Sequence, residues 1–111
     1  MTEAEGKNDL HAKPIKLVDL AGFQEHSIVS REVIKKTTGT VTVFAFDAGE
    51  GLSEHTAPFD ALVYALEGEG KVMIAGTWHR VTEGEMIIMP AHKPHALKAV
   101  KRFKMLLILI K

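Results

Sequence analysis

Residues 61–76 read ALVYALEGEGKVMIAG. Two apolar runs of strand length flank the glycine-rich EGEG, and neither keeps the 3.6-residue stripe of an amphipathic helix. Gly68 and Gly70 supply turn chemistry, so the spacing predicts a hairpin closed near these glycines, with 61–66 paired to 71–76. Residues two apart share a face of a strand, which groups Ala61, Val63 and Ala65 on one side and turns Tyr64 to the other.

The same pattern continues outward in both directions. TVTVFAF at 40–46 is rich in β-branched and aromatic residues, and the following DAGEG ends the strand. TWHRV at 77–81 begins another strand, GEMIIMPAHKPHALKAV at 84–100 carries two more around a proline-bounded bend, and KMLLILI at 104–110 closes the chain. Seven or eight short strands without a crossover helix predict an all-β antiparallel domain, a barrel or sandwich. Several runs are apolar on both parities, whereas a small barrel has one interior to fill. That surplus predicts a covered outer face, and hence a homodimer.

The chain has 111 residues, which fits one domain: a polar, partly disordered arm over 1–14 and a barrel over 15–111. Fourteen basic and fourteen acidic side chains cancel, so no net field favours nucleic acid or an anionic membrane surface. There is no cysteine, which excludes disulfides and thiolate chemistry and suits a cytoplasmic location. The start lacks the apolar core of a signal peptide. The most apolar run, Met105–Ile110, is six residues long, against about 20 for a membrane-spanning helix.

Two segments resemble the paired motifs of the cupin superfamily. GEGLSEHTAPFDALVYALEGEG at 49–70 is similar to the first, G-x5-H-x-H-x(3,4)-E-x6-G, with Gly49, His55 and Gly68 in place. In that frame Ala57 stands at the second histidine and Ala61 at the glutamate. GEMIIMPAHKPHALKA at 84–99 is similar to the second motif, G-x5-P-x-G-x2-H-x3-N, with Gly84, Pro90 and His95 matching, His92 at the glycine and Ala99 at the asparagine. The resemblance implies a jelly-roll barrel, a double-stranded antiparallel β-helix, often dimeric, whose family members hold a divalent metal through three histidines and a glutamate. Here it leaves His55 and His95 as metal ligands, with His92, His79 and Asp60 as groups to recruit, for a weakly held zinc, iron, manganese or nickel ion.

The alanines also widen the cavity and make its wall less polar, so the residues favour a small-molecule pocket formed by His55, Ala57, Ala61, Val63 and His95. Asp60 lies one position from Ala61 and so points to the opposite face unless a bulge intervenes. His79 reads as a surface or packed residue. Met73, Met86 and Met89 read as ordinary core, and Trp78 as a cap or interface residue. EGEG is followed by neither lysine nor serine or threonine, which excludes a phosphate loop. Three functions follow in order: a ligand-binding barrel polarised by His55 and His95, a metal-dependent dioxygenase or isomerase with a completed histidine site, and a dimeric sensor or interaction domain.

Overall fold

The computed structural model describes residues 9–111, so residues 1–8 of the expected polar arm lie outside it. After a 3-10 turn at Leu17–Asp19 come β1 (Ile28–Lys36), β2 (Gly39–Phe46), β3 (Gly51–His55), β4 (Asp60–Ile74), β5 (Thr77–Thr82), β6 (Met86–Met89) and β7 (His95–Ile110). Every pairing is antiparallel. Among the described residues no helix is long and apolar enough to cross a membrane.

The architecture hangs on β4 and β7, which pair from Asp60↔Ile110 to Ile74↔His95. Their two ends have different neighbours. The first half of β4 pairs with β6 and its second half with β5, while β7 pairs with β3 through its first residues and with β2 through its last. Two sheet halves therefore share one central pair, β1-β2-β7-β4-β6 and β3-β7-β4-β5. Both halves feed one core in which Phe46, Val63, Val72, Val81, Leu97, Phe103 and Met105 are buried. This is the antiparallel jelly-roll barrel expected from the sequence.

The hairpin expected at Gly68 and Gly70 does not form. β4 continues through EGEG, and the chain reverses at Ala75 and Gly76, both with positive φ. The glycines instead make a corner, with register shifts between Ala65 and Glu67 and between Gly68 and Gly70. Gly68 has φ +82°, and a Cβ there would run into the Arg102 carbonyl; at Gly70 a Cβ would lie 2.8 Å from the Phe103 ring. Bulges let a strand bend from one sheet half into the other, and they also shift its inward parity. Accordingly Ala61, Val63 and Ala65 are buried before the corner, and Gly70 and Val72 after it. KMLLILI is likewise no separate strand but the end of the 16-residue β7.

β2 ends at Phe46 as expected and is buried on both parities. Phe44 and Phe46 pack into the barrel core, while Val43 and Ala45 pack with Leu17, Leu20, Ala21 and Phe23. The outer cover of this strand comes from the chain's own N-terminal segment. That segment is pinned by Lys104 Nζ, which donates to the Val18 carbonyl at 2.7 Å, and by Arg102 and Lys104 over the Phe23 ring.

Candidate functional site

A cavity of about 190 Å³ opens between the two sheet halves. β7 contributes His95, Leu97, Met105, Leu107 and Leu109 from its odd-numbered face, together with Ala96. Leu52 and His55 enter from β3, Met89 from β6, Ala57 and Phe59 from the segment leading into β4, and Ala61 from β4 itself. Lys111 stands at the rim, its Nζ 5.5 Å from the Phe59 ring centroid.

His55 reaches the cavity through a local irregularity. Leu52 and His55 are three residues apart, so in a regular strand they would face opposite ways. A register shift between them places Leu52 opposite Leu97 and His55 opposite His95, returning both side chains to one face. The two imidazoles meet edge to face with ring centroids 4.4 Å apart and Nε2 to Nε2 at 3.1 Å. His55 Nδ1 lies 2.8 Å from the Ser53 carbonyl oxygen, and His95 Nδ1 lies 3.1 Å from that of Lys93.

These contacts compete for the ring protons. A carbonyl oxygen only accepts, so each Nδ1–carbonyl contact needs a hydrogen on Nδ1, and the contact between the rings needs one on either Nε2. The row Ser53 O, His55, His95, Lys93 O has three contacts and needs three ring protons. Two neutral imidazoles supply two. Burial holds His95 below the usual imidazole range, His55 beside it pushes the same way, and the Lys93 carbonyl opposes them. The fold therefore presents a histidine pair that lacks one proton for its three contacts while both rings are neutral, at a polar end of a largely apolar cavity.

The other sequence candidates are dispersed. Val63 shares the inward face but is fully buried in the core and does not line the cavity, so its expected place in the pocket is corrected by depth. His92 sits outside at φ +66° in the 90–94 bend, its backbone N–H donating to the Ala57 carbonyl at 2.7 Å. Asp60 points away, as its parity requires, and accepts from the Ala91 N–H at 2.8 Å. His79 and Trp78 are exposed on β5. Met73 and Met89 are buried, whereas Met86 is 55% exposed and leaves the core expected for it. Phe59, Leu107 and Leu109 went unread, though the last two share the parity of His95.

A metal centre with the family's donor set does not fit. Ala57 and Ala61 offer methyl groups where an imidazole and a carboxylate would stand, and catalytic zinc sites need three protein ligands. Among the described residues no three His, Cys, Asp or Glu side chains converge.

Residues 42–110 match the cupin domain family model Cupin_2. The fold is similar to a conserved protein of unknown function from Streptococcus pyogenes, at 38% identity and a TM-score of 0.89 over 94% of this chain and 91% of that one. A cupin 2 conserved barrel domain protein from Leptotrichia buccalis is 42% identical, with a TM-score of 0.82 over 85% of this chain and 46% of the other. A cupin superfamily protein from Desulfitobacterium hafniense is 28% identical, with a TM-score of 0.86 over 93% and 94%. No curated protein matches the sequence.

Proposed function

The chain belongs to the cupin family, and from that premise we propose that its barrel binds a small organic molecule, with His55 and His95 as the polar groups of the pocket. One observation carries this reading: the Nε2 atoms of His55 and His95 lie 3.1 Å apart at a cavity whose remaining walls are almost wholly apolar. Apolar walls with a few convergent polar groups are the usual build of small-molecule sites. A dry cavity of ~150 Å³ takes benzene, so about 190 Å³ suits a ligand on the order of ten heavy atoms.

The test is a titration with toluene followed through the methionine methyl resonances, since Met89 and Met105 both line the cavity. Saturable shifts of these two methyls are expected in the wild type and their loss in Ala57→Leu, which fills the cavity from a half-buried position. Unchanged binding in Ala57→Leu, or shifts spread over the exposed Met86 instead, would refute the reading.

A further inference from the structure

The rim of the cavity holds a cation that its apolar walls do not need. Resting on the small-molecule reading above, we propose that the ligand is a small monocarboxylate with an apolar body, whose body fills the cavity and whose carboxylate pairs at the rim with the ammonium group of Lys111.

Lys111 is aimed by the strand that leads into it. It continues the odd-numbered row of Leu107 and Leu109, so its side chain leaves the backbone on the cavity side and joins theirs in the lining. The backbone is fixed there, because the Lys111 N–H donates to the Thr38 carbonyl at 2.9 Å, one step beyond the Gly39↔Ile110 pair at the end of the β2–β7 ladder. Nζ stands 5.5 Å from the ring centroid of Phe59, another lining residue.

This ammonium group has no acidic counterpart. None of the ion pairs among the described residues involves Lys111, and no aspartate or glutamate lines the cavity. Asp60 stands opposite Ile110 in the β4–β7 ladder, but it points outward and its Oδ1 accepts from the Ala91 N–H.

Such a rim selects by charge. A neutral apolar molecule gains the cavity walls alone. An ammonium ligand meets Lys111 as a like charge, with no acid in the lining to offset it. A carboxylate deep in the cavity would lose its hydration, whereas at the rim it keeps water on one side and gains a charge-assisted hydrogen bond. One ammonium balances one charge, which suits a carboxylate better than a dianionic phosphate monoester. The pairing holds whichever ring nitrogens of His55 and His95 carry hydrogen.

Benzoate, toluene and benzylamine share the ring and carry a negative, a neutral and a positive substituent. Their Kd values at pH 8, read through the Met89 and Met105 methyl resonances, are compared in the wild type and in Lys111→Met, which keeps most of the stem and removes the charge. Lys111 is exposed, so this variant spares the core. Wild-type protein is expected to bind benzoate more tightly than benzylamine, and added salt to weaken benzoate but not toluene. In Lys111→Met the Kd of benzoate is expected to rise about fivefold or more, the size of a well-formed ion pair at a surface, while that of toluene changes less than twofold. Lys111→Arg is expected to restore benzoate binding. Benzoate binding as tightly to Lys111→Met as to the wild type places the carboxylate on another group, overturns the proposal and leaves the pocket standing. Toluene binding without benzoate, or benzylamine binding as tightly as benzoate, does the same, and both are read on the wild type alone. Binding of none of the three overturns the proposal together with the pocket reading.

Discussion

The fold lowers the proton affinity of His95, which meets His55 across β3 and β7, chiefly because it is 4% exposed among apolar side chains. In the unfolded chain it returns to the ordinary value of 6.5, so between that value and its lowered native one the unfolded state binds more protons. Stability is then complete above pH 6.5 and falls as pH drops through the native value. Thermal denaturation between pH 8 and pH 5 is expected to show this decline in the wild type and a flatter profile in His95→Gln. The carboxylates held low by ion pairs and hydrogen bonds, Asp47, Glu69 and Glu85, lose their contribution only at lower pH, outside that window. An equally steep decline in His95→Gln would assign the titration elsewhere. The motif glycines have a residue-scale reason as well. Gly49, Gly68 and Gly84 all have positive φ, and so does His92 at the fourth glycine position of the motif pair. The pattern encodes backbone geometry, which is why the fold stayed legible after two ligand positions became alanine.

At the scale of elements, EGEG shows where local reading stops. Glycine beside acidic residues suits a hairpin turn and a bulged strand corner equally, and the difference lies across the sheet in Arg102 and Phe103, more than thirty positions away. The corner predicts an order of sensitivities. Gly84 has open space around its missing Cβ, so Gly84→Ala costs only the left-handed conformation, roughly 1–2 kcal/mol. Gly68→Ala adds a clash with the Arg102 backbone and is expected to cost clearly more, about 3 kcal/mol or above. Urea denaturation of the two variants measures the difference, and equal losses would mean that the corner yields freely. The candidate site was legible to a similar depth. His55, Ala57, Ala61 and His95 follow from the motif frame and do line the cavity. The imidazole contact itself depends on the irregularity between Leu52 and His55, which leaves no mark in composition or period. Val63 failed because parity gives a face but not a depth, and Lys111 went unread because a rim is made by tertiary packing.

At the scale of the whole molecule, the surplus of apolar residues is distributed unequally, and this bears on self-association. The second parity of β2, part of the reason to expect a homodimer, is covered from within the chain by Leu17, Leu20 and Phe23. An uncovered apolar group lies on β4 and β6, where Tyr64 pairs with Met86 and Leu62 with Ile88. Met86, Ile88 and Tyr64 are 55%, 49% and 37% exposed, a cluster and not a scatter. Single exposed apolar residues are ordinary on a monomer, whereas contiguous patches mark contacts. A strip shared by two copies would be self-complementary about a two-fold axis, the usual arrangement of homodimers. If the dimer expected from the sequence forms, it is expected to use this flank. Sedimentation equilibrium should then give a dimer whose dissociation constant rises at least tenfold in Met86→Lys, Ile88→Lys, because the charges would be buried unpaired. The double variant leaves the cavity alone, since neither Met86 nor Ile88 lines it, so toluene binding is expected to persist in it. A wild type that sediments as a monomer at 100 µM removes the dimer and leaves the pocket reading untouched. A dimer indifferent to both lysines moves the interface to another face.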